Sequence, residues 1–362
     1  MLPLIFVFGL FVWTPSISAT PAIEAYLYNP TADQITIQYP YNKAPDTLSL
    51  KPSLNLVGSD FPDGDSEIHY VVEENGKALY SGTIRAGTEH GHFNDQVELP
   101  EKYAHADSIS WRVTQKGAEV ARGRAKLTWS RFHGKVVYKS GVQRSTAIDL
   151  IPLRWGDPGE IQIPVATDGS FDALVPARVY AILNASGAGY LFDSMERWAG
   201  TYDLTHDRED QFDIGRTEIY GLRAFDITGG PKTIYLFFRP SSLSRVMSFH
   251  ASEEGILNAD EKARMVEALK SSPMAIAPEL TARNVRVWFD DQPLTVAQLN
   301  QIPEFDSGTW QANYIVQCPL PSVQISKNVW HHIRVEVESQ ELLRGKKITD
   351  FGQSSVDVFW PR

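Results

Sequence analysis

The sequence predicts a mainly β protein of three tandem β-sandwiches: an immunoglobulin- or fibronectin-like domain, a transthyretin-like domain and a third sandwich, with one short helix at the second joint. Three observations carry this expectation. Short stretches of alternating apolar and polar residues recur through most of the 362 residues, and a period of two is the mark of a strand with one buried face. Turn-forming pairs such as Asn75-Gly76 and Lys116-Gly117 separate these stretches. Only one segment, 258–271, combines helical spacing with end signals. At about 150 residues per domain, a chain of this length holds two or three domains, and we read three, over 20–130, 131–249 and 250–362.

The first nineteen residues, MLPLIFVFGLFVWTPSISA, contain an uncharged apolar run from Leu2 to Trp13. As a helix that run rises about 18 Å, well short of the roughly 30 Å of a bilayer core. It reads as a secretory signal peptide over 1–19, with small residues Ser18, Ala19 and Ala22 around the cleavage point. The expected location is therefore outside the cytoplasm: secreted, periplasmic or in the cell envelope, with no membrane span.

In 20–130, DQITIQY at 33–39 alternates strictly and sets Ile35 and Ile37 on one face. IHYVVEENGKALYSGTI at 68–84 turns at Asn75-Gly76, a pair that tolerates positive φ at both central positions and so predicts a hairpin. SISWRVTQKGAEVARGRAKLTW turns near Lys116-Gly117, and Trp111 and Trp129 are candidate core anchors. Strands at this spacing predict a sandwich of immunoglobulin type.

In 131–249, Gly134, Val136 and Gly141 predict a strand and turn, and Ala147 to Leu153 a second strand. Thr167-Asp168-Gly169-Ser170 predicts a turn, and Phe171 to Ile182 a hairpin broken at Pro176. Short Asp and Ser side chains bond the local backbone in such a turn while Gly takes positive φ, so Asp168 and Ser170 need no hydrolytic role. With Thr167, Phe171 and Tyr180, these residues give a pattern that resembles the carboxypeptidase regulatory-like domain over about fifty residues. The pattern departs from the family at Ala177 and Arg178, where a Gly would ease the turn, and at Asp149 in the second strand. The resemblance implies a transthyretin-like sandwich, a non-catalytic module in the families that carry it, and the stretch that follows is similar to uncharacterised bacterial secreted proteins.

In 250–362, NADEKARMVEALKS at 258–271 predicts a helix: Asn258 as N-cap, Glu261 three residues later, Pro273 just past the end. Strands resume at VRVWF, ANYIVQC, VQIS, HHIRVEVE and VDVFW, with Asp290-Asp291-Gln292-Pro293 as a turn.

Charge and motifs narrow the function. With 34 basic and 44 acidic side chains the net charge is −10, and no basic block stands out, so nucleic acid is not an expected partner. Cys318 is the only cysteine, set among apolar neighbours, and no intrachain disulfide is available. There is no G-x-S-x-G elbow, no H-E-x-x-H, and no phosphate-binding glycine loop. His90 and His92 share one strand face without a third ligand, His331 and His332 point to opposite faces, and the acids around 59–67 fail the EF-hand spacing. No metal and no cofactor are expected.

The densest charged stretch is YDLTHDREDQFD at 202–213, following SMERWAGTY. Aromatic rings beside carboxylates suit sugar rings, whose CH faces stack and whose hydroxyls need acceptors. On that chemistry Trp198, Tyr202, Asp203, Asp207 and Asp210 are the candidate ligand-binding residues, on an expected long loop. The reading is a non-catalytic binding or structural protein whose partner is an extracellular glycan or protein. The alternative is a carbohydrate-active hydrolase that uses the acids of 203–213 as a carboxyl pair.

Overall fold

The computed structural model describes residues 20–38, 44–154, 158–227, 232–249, 276–306, 309–320, 325–343 and 345–360. The expected signal peptide over 1–19 and the expected helix over 258–271 lie outside the described residues. Within them the protein is mainly β, with 24 strands, one short α-helix and one 3-10 turn. Its contacts divide it into two compact units. One takes the described part of Met1–Ala25 with Leu56–Asp95 and His105–Lys126; the other takes Tyr26–Asn55, Gln96–Ala104 and the described part of Leu127–Arg362.

The first nine strands are β1 (Ala22–Tyr28), β2 (Gln34–Ile37), β3 (Asp46–Ser49), β4 (Ser53–Ser59), β5 (Gly64–Glu74), β6 (Lys77–Thr88), β7 (Phe93–Glu98), β8 (Ser108–Gln115) and β9 (Ala118–Lys126). In the first unit four of them form the sheet β6-β5-β8-β9. Its two outer hairpins turn where the sequence places them, with Asn75 and Gly76 at φ 51° and 78° and Lys116 and Gly117 at 49° and 78°, the twist that matches paired strands. Ile68, Tyr70 and Val72 stand in register with Val113, Trp111 and Ile109, and all six are buried. Trp111 is thus a core anchor, packed edge-on against Phe61 at 6.2 Å.

The second unit begins with the hairpin β2-β3, whose Ile35 and Ile37 pack with Leu50 against Ala147 and Ala188. Its middle part comprises β10 (Trp129–Tyr138), β11 (Thr146–Ile151), β12 (Ile161–Pro164), β13 (Ser170–Pro176), β14 (Val179–Gly187), β15 (Arg197–Asp203) and β16 (Arg208–Ile214). The sheet β13-β10-β16 closes over the run β12-β11-β14-β15 around one core that includes Phe132, Phe171, Tyr180, Tyr202 and Phe212.

Two expectations change here. Residues 171–182 do not form a hairpin: β13 pairs with β10 and β14 with β11 and β15. The Ala177-Arg178 link carries the chain from one sheet to the other, and the Tyr180 hydroxyl donates back to the Pro176 carbonyl at 3.0 Å. Two residues without positive φ cannot make the I′ or II′ turn that a tight hairpin requires. Nor is 202–213 a long loop, because β15 and β16 occupy most of it and only residues 204–207 connect them.

The last part holds β17 (Thr217–Asp226), β18 (Thr233–Ser242), α1 (Leu243–Phe249), β19 (Val285–Phe289), β20 (Gln292–Leu294), β21 (Gln298–Asp306), β22 (Thr309–Pro319), β23 (Val329–Leu343) and β24 (Lys346–Trp360). The sheet β17-β18-β22-β21 faces the run β24-β23-β19-β20 around a core that contains Phe238, Val287, Tyr314 and Val335. Cys318 is in that core, and burial pushes its thiol up to about 12. Asp290 and Asp291, at φ 46° and 64°, are the whole turn between β19 and β20, with Gln292 and Pro293 already in the strand. One parallel contact, Ala199 with Ser355 and Gly200 with Val356, joins β15 to β24. The middle and last sandwiches therefore share one eight-stranded sheet.

Candidate functional site

The acid-rich stretch folds inward as well as outward. Thr201 has φ 42°, a break in the alternation of β15 after which Tyr202 turns into the core. Tyr202 is fully buried, with its ring 5.7 Å from that of Phe132, and its hydroxyl donates to Asp210 Oδ2 at 2.7 Å. The Arg208 guanidinium lies 3.8 Å above the Tyr202 ring. It donates to Asp357 Oδ2 at 2.6 Å and to Asp210 Oδ2 at 3.3 Å. His332 Nδ1 sits 2.7 Å from Asp357 Oδ1 and 2.9 Å from Arg208 Nη2. Burial alone would neutralise these groups, yet their mutual contacts outweigh it. Asp357 is held below the usual carboxylate range by His332 and Arg208, and Arg208 is held firmly protonated by Tyr202, Asp357 and Asp210. This is a satisfied ionic knot at the edge of the central core.

Three more acids of the stretch, Asp203, Asp207 and Asp213, are also occupied, whereas Glu209 is exposed. Asp203 is buried, and its Oδ1 accepts from the Thr205 backbone N–H and hydroxyl at 3.0 and 2.7 Å. Asp207 Oδ1 accepts from the Arg131 backbone N–H at 2.8 Å. Asp213 pairs with Lys139 Nζ at 2.6 Å. The expected pairing of Tyr202 and Trp198 as adjacent exposed platforms does not form, since Tyr202 is in the core and Trp198, half-buried, meets Tyr220 instead at 5.1 Å and 86°.

Outside the knot, β10, β13 and β16 present a polar face. In register across it stand Asp172, His133 and Glu209, then Ser170, Lys135 and Gln211. With the Pro164–Ala166 backbone and Arg334 of β23, this face lines an open cleft of about 850 Å³. Asp210 reaches the cleft too, so one of the acids singled out in the sequence stands beside it. The strands come close because Gly134 has no side chain: a Cβ there would lie 1.8 Å from the Asp210 carbonyl oxygen.

A second polar cluster lies on the other sheet of the middle sandwich. Gln162, Asp149, Asn184 and Trp198 form a row across β12, β11, β14 and β15. Glu196 and Glu218 approach the Trp198 indole. Burial raises the carboxyl of Glu196, that of Asp149 to about 7 and that of Glu218 to about 8. Neither Glu196 nor Glu218 belongs to the charged stretch that drew attention in the sequence.

The other candidates resolve locally. His90 (φ 52°) and His92 are exposed in a tight turn closed by the Glu89–His92 bridge. Asp63 Oδ1 accepts from the Gly91 backbone N–H at 2.9 Å. His331 is buried and bonded to Asp290 at 2.5 Å, and the two neighbouring histidines bond to different carboxylates. Among the described residues no group of three or more His, Cys, Asp or Glu side chains could hold a metal ion, and no helix is long and apolar enough to cross a membrane.

Fold and surface together define a mainly β, multi-sandwich protein with a polar cleft on its central sandwich. Among solved structures the chain is similar to a DUF3823 family protein from Bacteroides ovatus, at 12% identity and TM-score 0.18 over 63% of this chain and 98% of that one. It is also similar to a DUF3823 family protein from Parabacteroides merdae, at 13% and 0.19 over the same shares. A third likeness is to the major pilin SpaA of Corynebacterium diphtheriae, at 6% and 0.18 over 54% and 69%. No protein-family model and no curated protein matches the chain.

Proposed function

We propose that this is an exported, non-catalytic binding or structural protein of the cell envelope or its surroundings. It recognises an extracellular polymer through the central sandwich, a glycan first and a protein second. We further read the central sandwich as a carboxypeptidase regulatory-like module within 131–249, flanked by sandwiches over 20–130 and 250–362.

The observation that carries the reading is the cleft of about 850 Å³ over β10, β13 and β16. It offers donors and acceptors on a rigid three-strand floor, which suits the hydroxyl-rich face of a polymer. Four of the five acids of 203–213, Asp203, Asp207, Asp210 and Asp213, favour a non-catalytic role, because each already holds a hydrogen bond or ion pair that fixes the fold. A carboxyl pair for glycoside hydrolysis needs one free acid and one free base about 5 to 9.5 Å apart.

Arrays of glycans and of extracellular matrix or wall proteins, probed with the purified chain, test this. Retention of one polymer class is expected, weakened by His133→Ala in the cleft. Retention of nothing, or release of reducing ends from a glycan that is retained, overturns the reading.

A further inference from the structure

We propose that a second cavity is a subsite for a protonated amino sugar, whose ammonium meets Glu160 with Asp149 behind it; the choice of a sugar over other amines rests on the binding role assigned above. The cavity, of about 550 Å³, lies within the second unit and falls in the roughly 300–1,000 Å³ range of small-molecule sites. Glu160 and Gln162 line it from the β12 edge, together with residues of β1, β4, β7 and the β3–β4 link. Most polar groups there are engaged. Lys51 pairs with Glu98 at 2.6 Å, Gln96 donates to Ser53 Oγ at 2.9 Å, and the Tyr28 hydroxyl donates to the Gln162 carbonyl at 2.8 Å. Glu160 differs: it is half-buried, makes no hydrogen bond or ion pair among the described residues, and burial alone raises its carboxyl.

Asp149 adds to the demand for a cation. It stands in register with Gln162, so alternation sets its side chain on the face that carries Gln162 and Glu160. Asp149 is 8% exposed, and its Oδ1 is buried with no hydrogen-bond partner. Burial, and then the Glu160 charge, raise its carboxyl to about 7. The cations nearby are committed elsewhere. Lys51 is held by Glu98, and Arg178, in the small neighbouring cavity, donates to Asn55 at 3.2 Å and stacks 3.9 Å over the Tyr26 ring. Two acids side by side in a half-dry wall are neutralised only by taking up protons, whereas an ammonium supplies both the missing charge and its donors. Ser49, Ser53 and Gln162 offer hydroxyl and amide groups to the rest of a sugar ring. A metal ion fits less well, since no group of three or more His, Cys, Asp or Glu side chains among the described residues could hold one.

The test titrates the full chain with glucosamine trimer, its fully N-acetylated counterpart and a lysine tripeptide, at about 0.15 M salt so that the net charge of −10 is screened. The glucosamine trimer is expected to bind about tenfold more tightly than the acetylated one, the worth of one hydrogen bond to a charged group, and more tightly than the tripeptide. Glu160→Gln should remove most of that preference, with Glu160→Asp retaining it in part. Because Glu160 holds no bond in the fold, the Gln variant keeps the melting temperature of the parent. Binding of the glucosamine trimer should weaken from about pH 6.5 to about pH 4.5, as Glu160 and Asp149, with Glu196 beyond them, take up protons. Equal binding of the two trimers, or a preference that survives Glu160→Gln, overturns the proposal and leaves the wider reading intact. Tighter binding of the tripeptide overturns the choice of a sugar. Binding of neither trimer also overturns the proposal, and the wider reading falls with it only when the arrays are blank as well.

Discussion

A tyrosine ring next to five carboxylates in sequence looks like a ligand platform, and Tyr202 shows why the neighbours in space decide instead. Its ring contacts Phe132 and Phe212 at 5.7 and 6.3 Å, and Asp210 takes its hydroxyl proton in a hydrogen bond. Tyr202→Ala is expected to cost about 3–5 kcal/mol, as for other buried aromatic truncations. Tyr202→Phe removes only the hydrogen bond to an ionised partner, about 1.5–3 kcal/mol. Equilibrium urea unfolding of the two variants reads both numbers, and an Ala variant within about 0.5 kcal/mol of the parent would place the ring on the surface. Asp210, singled out in the sequence, lines the cleft, and His133, Lys135 and Arg334 beside it could not be read there, because register across three strands and a distant fourth brings them together.

At the scale of elements, what could be read in advance was what local chemistry dictates. Asn75-Gly76, Lys116-Gly117 and Thr167–Ser170 turn as expected because each contains residues suited to positive φ. Partner choice is a different matter: β13 and β14 are adjacent in sequence yet lie in different sheets, and their alternating apolar residues would look the same in a hairpin. The helix α1 carried no sequence signal either. Its start is held by a remote group, Asp350, which accepts from the Ser244 backbone N–H at 3.0 Å and from the Ser242 hydroxyl at 2.6 Å. Gly134 links the two kinds of information, since its glycine was visible in the pattern but its reason was not. It has φ 153° and faces the Asp210 carbonyl across the parallel β10–β16 pair. Gly134→Ala should therefore both strain the backbone and force β16 outward, for a loss of about 2–4 kcal/mol. Since β16 also floors the cleft, polymer retention should fall with stability; a variant as stable as the parent would show that the strands separate freely.

Across the whole molecule, the acids that matter for pH dependence are not those that crowd together in sequence. In the 203–213 stretch Asp210 and Asp213 pair with Arg208 and Lys139, and Asp203 and Asp207 with backbone donors, while Asp149 and Glu218, far apart along the chain and in different sheets, each lie within electrostatic reach of Glu196. No ion pair to any of these three exists among the described residues. The nearby cations are engaged elsewhere: Arg239 with Glu304, and Arg223 with the Leu222 carbonyl at 3.2 Å. Burial raises Asp149 from 3.8 to about 7 and Glu218 from 4.5 to about 8. Between the unfolded and folded values the native state binds more protons than the unfolded chain, so these groups stabilise the fold fully below about pH 4 and lose that contribution as pH rises towards 8. Asp357, held below its ordinary 3.8, acts in the opposite sense and is felt only as pH falls below about 4. The melting temperature should therefore be higher at pH 5 than at pH 8.5, by an amount on the order of 5 °C. Glu218→Gln should flatten the profile by raising the melting temperature at pH 8.5 more than at pH 5. A parent protein equally stable at both values, or a Gln variant with an unchanged slope, would mean that a cation or a bridging donor already compensates these acids.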